Sequence, residues 1–136
     1  MTAPSVYPDV LGDLGSLITA AGLATLGDNL FLGSEPDQPD DVTTLYEYLG
    51  AAPAYIQERQ SPAYVSPRVQ VVSRSKEYTT AERHAWEMFG VLSSGTVLIN
   101  GNRYVFIHPL SQPGLIGRDA NDRVLVAFNV EVERAN

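Results

Sequence analysis

His84 and His108 are the residues best suited to acid–base or metal chemistry, because imidazole is the side chain that changes charge near neutral pH. They are the only two histidines, and there is no cysteine. Thiolate metal sites, disulfides, redox pairs and cysteine nucleophiles are therefore excluded together. Neither histidine has a second ligand at metal-binding spacing. His84 falls off the apolar stripe of its helix and reads as solvated, and His108, before Pro109 at a strand end, reads as structural. Asp119-Ala120-Asn121-Asp122 begins like a calcium loop but lacks the glycine at the sixth position and the closing glutamate. It reads as a turn. Glu35, Asp37, Asp40 and Asp41 offer paired carboxylates for proton transfer or weak cation binding. Nothing in the sequence fixes their geometry, so they read as acidic surface on a solvated loop. The glycine-rich phosphate loops, the Gly-x-Ser-x-Gly elbow and the His-Glu-x-x-His pair are all absent. The expectation is a protein with no catalytic residues, no metal and no cofactor.

The chain has 136 residues, with 44% hydrophobic and 18% charged residues. That is the size of one ordinary domain and apolar enough to fold. A single domain over 1–136 with short flexible termini is expected. No apolar run approaches the roughly 18 residues of a membrane helix, and Met1-Thr2-Ala3-Pro4 lacks the basic start of a signal peptide. Synthesis in a cytoplasm and no membrane partner follow as expectations. The net charge of −7 is unevenly spread. Residues 1–66 hold nine acids and one base, whereas residues 67–136 hold seven acids and eight bases. An acidic first half opposes binding to a phosphate backbone, which needs clustered cations.

From Asp9 to about Leu26, Val10, Leu14, Leu17, Ile18, Ala21 and Ala24 recur at the helical period. Gly12, Gly15 and Gly22 lie off that stripe and imply that something approaches the backbone closely. Asn29 to Leu32, Val42 to Leu49, Arg68 to Ser75 and Val124 to Val132 read as strands. A second helix follows Thr79-Thr80-Ala81-Glu82, which has the form of a capping box. Its stripe is Tyr78, Ala81, Ala85, Met88, Phe89 and Leu92. Asn100-Gly101 between Thr96–Ile99 and Arg103–Ile107 predicts a tight hairpin, since both turn residues tolerate positive φ. Gln112 to Asp122 reads as a glycine-rich loop. The order α-β-β-β-α-β-β-β predicts an α+β fold: a mostly antiparallel sheet of five to six strands with two helices packed on it.

Two features point to partners. The stretch 50–67 reads as a loop longer than compact domains usually carry, with Tyr55, Ile56 and Tyr64 as apolar anchors. Trp86 lies well off its helix's core stripe and reads either as an interface anchor or as packed beneath that loop. Leu23, off the first helix's stripe, carries a weaker form of the same ambiguity.

Leu26-Gly27-Asp28-Asn29-Leu30-Phe31-Leu32-Gly33-Ser34-Glu35-Pro36-Asp37, Tyr46-Glu47-Tyr48 and Arg68-Val69-Gln70-Val71 resemble a family of bacteriophage minor capsid or tail-terminator proteins. So do Tyr78-Thr79-Thr80-Ala81, Asn100-Gly101-Asn102-Arg103-Tyr104 and Gln112-Pro113-Gly114-Leu115-Ile116-Gly117-Arg118-Asp119. The likeness covers about residues 9–132. It implies a small α+β structural virion protein that forms a ring, usually a homohexamer, at the head–tail joint of a long-tailed phage. Such a ring caps the tail tube and stops its growth. Its implied partners are the tail tube protein and a head-completion or connector protein, with DNA passing through the lumen without specific binding. The family lends no catalytic residue. Within it, Glu35, Asp37, Asp40 and Asp41 become candidates for a lumen or partner surface, and Tyr55, Ile56, Tyr64 and Trp86 for subunit contacts. Other readings are another connector ring (a head-completion or stopper protein), a bacterial adaptor or binding module, and a small carboxylate hydrolase.

Overall fold

The computed structural model describes residues 8–54 and 64–135, with the backbone alone for 50–54. The first helix, α1, spans Val10–Ala20, and the Asp9 carboxylate caps it by accepting from the Gly12 amide at 3.1 Å. The apolar period runs on toward Leu26, but the helix stops six residues earlier. Gly22 takes φ +76°. Its amide returns to Thr19 and that of Leu23 to Ile18, satisfying the last carbonyls in a Schellman turn. The expected close approaches exist. A Cβ on Gly12 would lie 2.3 Å from Asp9 Oδ2, and one on Gly15 would lie 2.6 Å from Leu26 Cδ1.

The remaining elements are β1 (Leu30–Leu32), β2 (Val42–Ala54), β3 (Tyr64–Ser75), α2 (Tyr78–Val91), β4 (Val97–Ile99), β5 (Asn102–Pro109), β6 (Gly114–Arg118) and β7 (Val124–Ala135). They form one sheet of seven strands, ordered β1-β2-β3-β7-β5-β4 with β6 against β7. The fold is α+β, and the predicted order holds with β6 added before the last strand. The sheet is mixed, because β1 runs parallel to β2 while every other pair is antiparallel.

Several boundaries differ from the sequence reading. The supposed loop 50–67 is strand at both ends: Ala51 pairs with Ser66 and Ala54 with Tyr64, so β2 and β3 continue as a ribbon. Prolines obscured this in the sequence, but Pro53 and Pro67 both lie within the paired strands. Likewise Gly114–Arg118 is a strand, because β7 is long enough to pair with β6 at one end and β5 at the other. The Thr79–Glu82 capping box does not form. The helix already starts at Tyr78, with Glu77 as an N-cap that makes no side-chain cap bond, so Thr79 lies inside the first turn. The Asn100-Gly101 turn forms as predicted, with φ of 53° and 79°.

Both helices cover one face of the sheet. Val10, Leu14 and Ile18 of α1, Met88 of α2 and Leu92 at its C-cap are buried against Leu45, Val69, Val71, Phe128, Val130 and Val132. A second cluster joins Ala81 and Ala85 to Val124 and Val126. Fully burying a side chain of this size contributes about 1.5–3 kcal/mol, so this face dominates the stability. Among the described residues no helix covers the opposite face. There the registered row Tyr46, Gln70 and Asn129, with Tyr48, lines a groove of about 280 Å³.

Candidate assembly surfaces

The acidic run lies across the end of the sheet, and two arginines organise it. Arg74, at the end of β3, is 2% exposed. Its guanidinium donates to Glu35 Oε1 at 2.9 Å and to the carbonyls of Pro36 at 2.7 Å, Pro39 at 2.6 Å and Asp40 at 3.1 Å. Arg123, just before β7, donates to Asp119 Oδ2 at 2.8 Å, to Asp40 Oδ1 and Asp37 Oδ1 at 3.3 Å each, and to the Asp37 carbonyl. Lys76 reaches Asp40 at 3.4 Å. The segment is therefore no freely solvated loop. A buried guanidinium needs its donors satisfied and its charge matched, and 35–40 supplies both. Asp41 is exposed and stands beside this clasp.

Asp119-Ala120-Asn121-Asp122 is the expected turn. Asp119 Oδ1 accepts from the Asn121 amide at 3.0 Å and the Arg123 amide at 2.9 Å. Burial alone would raise the Asp119 carboxyl, but the donors of Arg123 and Asn121 outweigh it and hold it below the usual carboxylate range.

A second ionic centre, which sequence reasoning missed, ties α1 to the hairpin. Asp13 is 4% exposed. It accepts from Asn100 Nδ2 at 3.0 Å, from Asn102 Nδ2 at 3.1 Å and from the Tyr104 hydroxyl, and Arg134 Nε lies 3.8 Å away. Burial, then the hydrogen bond to Asp13, push the Tyr104 phenol far above its ordinary range. Asp13 sits beside Leu14 on the inward side of α1. An acid at that place in the period was its only sequence signal.

Trp86 is 41% exposed on α2. Its ring meets Phe89 at 5.1 Å, tilted by 57°, and Phe89 meets Phe128 at 5.6 Å. Tyr64 is half-buried at the start of β3, opposite Ala54 and Ala135. Tyr55 and Ile56 lie outside the described residues. Leu23 packs partly buried against the core. His84, with Asp41 and Met88, lines a small cavity of about 30 Å³. His108 is stacked on Phe106 at 4.6 Å and lies 4.0 Å from Glu131. Among the described residues, no three acidic or histidine side chains converge as a metal site would require.

A family model described as "Bacteriophage tail terminator protein" matches residues 17–136. The chain belongs to the bacteriophage tail terminator family. As a member it is a structural protein of the virion, located at the tail. Among solved structures, a chain described as "Virion of native gene transfer agent (GTA) particle" shares the fold. Its TM-score is 0.67 over 93% of this chain and 95% of that chain, at 13% identity. A search of curated protein sequences finds no match.

The match to the tail terminator family takes in every strand, α2 and the end of α1, so it covers both arginines of the clasp as well as Trp86. In this tail terminator relative the two ionic centres join elements far apart in the chain: α1 to the β4–β5 hairpin and β7, and residues 35–40 to β3 and β7. They hold the scaffold. The features that face outward are Trp86, the groove on the open sheet face and the strand edges.

Proposed function

We propose that this chain is the subunit of a closed ring, a homohexamer, that caps the tail tube and joins it to the head-proximal connector. The match to the tail terminator family over residues 17–136 carries this reading. The sheet supports it: one face is closed by helices, while the other face and parts of its margins are left for neighbours. The subunit needs no catalytic group. Its direct partners are further copies of itself, the tail tube protein and a head-completion protein. Trp86, Tyr64, Tyr55 and Ile56 serve contacts with neighbours. Asp41 and the exposed Asp37 contribute to an acidic surface at the lumen or toward a partner, and the net charge of −7 supports passage of DNA without specific binding.

The test is native mass spectrometry of the purified protein, together with electron microscopy of particles made without it. A closed ring, and tails of irregular length unjoined to heads, are the expected results. A protein that is monomeric both free and in the virion overturns the ring. Normal-length tails that simply fail to join heads point instead to another connector ring.

A further inference from the structure

The margins of the sheet are not equally protected. Natural proteins blunt exposed edges by keeping them short, covering them or twisting them away. β4 is three residues long. β1 is closed by the bridge from Leu26 to Leu30 and by the Gly27 amide, which donates to the Leu30 carbonyl. Beyond Tyr104 the outer side of β5 is taken by Ser94 and Thr96, whose carbonyl and hydroxyl bond the Ile107 amide and the Val105 carbonyl. Among the described residues two stretches are left. Past Leu45, where β1 ends, β2 has no strand on its outer side among the described residues, and Leu49 there is 89% exposed. On the opposite margin, β6 pairs with β7 alone, with Leu115 58% and Ile116 56% exposed.

These two edges match one another. β2 is antiparallel to β3, β3 to β7, and β7 to β6, so β2 and β6 run in opposite directions. Two copies in the same orientation therefore bring β2 of one alongside β6 of the next as an antiparallel pair. β2 shifts register against β3 after Tyr48, and β6 shifts against β7 between Leu115 and Gly117, so the register is anchored on Glu47 and Arg118; with those two opposite one another, Leu49 and Ile116 meet where the two strands bulge. Glu47 lies across from Val69 and Arg118 across from Val124, both buried on the helix-covered face. The acid and the base thus fall on the same side of a joined sheet; within its own subunit Arg118 makes only an exposed contact with Asp122 Oδ1 at 3.4 Å and with the Asp122 carbonyl at 3.2 Å.

We propose that subunits join edge to edge: the outer side of β2 at Tyr46–Leu49 in one copy pairs antiparallel with β6 of a second copy, Leu49 against Ile116 and Glu47 against Arg118. The joint uses different surfaces on the two copies, which is the kind of contact that closes into rings. It rests on the ring reading and specifies where the subunits meet. Main-chain bonds supply cohesion, and the ion pair and the apolar contact set the register.

The experiment exchanges the charges. E47R and R118E are made singly and together, and the concentration of half-assembly is read by native mass spectrometry. Each single variant should raise it by about tenfold or more, since like charges then oppose one another, and the double variant should recover most of that loss. Because the chain contains no cysteine, L49C with I116C provides a second readout. Oxidation should give a ladder of linked subunits on a denaturing gel, while L49C or I116C alone should give none, and this pair decides the matter if a charge variant fails to fold. Folded variants whose rings ignore the charges, or a ring that gives no ladder, overturn the edge joint while leaving the ring reading intact. Dimers from either single cysteine also overturn it. A wild-type protein that never assembles, free or in the virion, overturns both.

Discussion

The guanidinium of Arg74 donates to the carboxylate of Glu35, thirty-nine residues earlier in the chain, at 2.9 Å. Around this contact the carbonyls of Pro36, Pro39 and Asp40 close on the same cation. A segment that looks like acidic solvated surface is therefore held as the ligand shell of a buried arginine. Its charge is largely matched within the subunit, since Arg123 and Lys76 take Asp37 and Asp40.

R74A should destabilise the protein by about 3–5 kcal/mol, the range for breaking a buried ion pair by deleting one partner. R74K should rescue only part of this, because an ammonium cannot reproduce the planar fork that reaches five acceptors. Replacing Glu35 by lysine should also lower the melting temperature, while the same change at exposed Asp41 should leave it close to wild type. Thermal denaturation by circular dichroism compares the four. Equal melting of the Glu35 and Asp41 variants would mean that the clasp contributes nothing.

Asp119 makes acid sensitivity a property of the same clasp. Its carboxyl is held below the usual range in the folded state, so the unfolded chain binds the proton more readily. Its contribution is present above the unfolded value, near 4, and is lost as pH falls through the lower folded value. D119N should therefore be less stable than wild type at neutral pH, and the gap should narrow as the pH drops below about 4. Urea denaturation at a series of pH values measures it, and a gap independent of pH contradicts the assignment.

The Tyr104–Asp13 bond should show itself at the alkaline end. Both states hold a neutral phenol below about pH 10, and above it only the unfolded chain ionises readily, so stability falls as pH rises. Y104F should flatten that fall. It also leaves the Asp13 carboxylate one donor short, at a cost of about 1–3 kcal/mol at neutral pH. If the Y104F and wild-type curves stay parallel from pH 8 to 11, Tyr104 is not the responsible group.

Trp86 is the only tryptophan, so its fluorescence reports its own surroundings. Its emission should shift to the blue when subunits assemble or dock on the tail tube. W86A should weaken assembly, and in the isolated fold it should cost about 0.5–1.5 kcal/mol for the aromatic pair with Phe89 in addition to the apolar area Trp86 buries there. An unchanged spectrum on assembly would place Trp86 away from every contact.

The features legible in residue order alone are local. The Asn100-Gly101 hairpin, the inward stripes of Val10, Leu14 and Ile18 and of Ala81, Ala85 and Met88, and the alternation of β7 follow from turn chemistry and from periods of 3.6 and 2, which need no knowledge of distant residues. Trp86 stood off its stripe for the same reason. Tertiary structure decided the rest. Gly114–Arg118 is a strand because β7 outreaches β5, and residues 50–54 are a strand because β3 lies beside them. Asp13, Arg74 and Arg123 look like surface charges in sequence. They are buried because partners distant in the chain satisfy them, Asp40 for Arg74 and Arg123 and Tyr104 for Asp13, with Asp119 as the one local partner of Arg123, and the cost of burying a charge is set by where those partners come to lie. Such pairings leave no periodic trace along a single chain, so only the folded arrangement could show that the acids of 35–40 hold the subunit together.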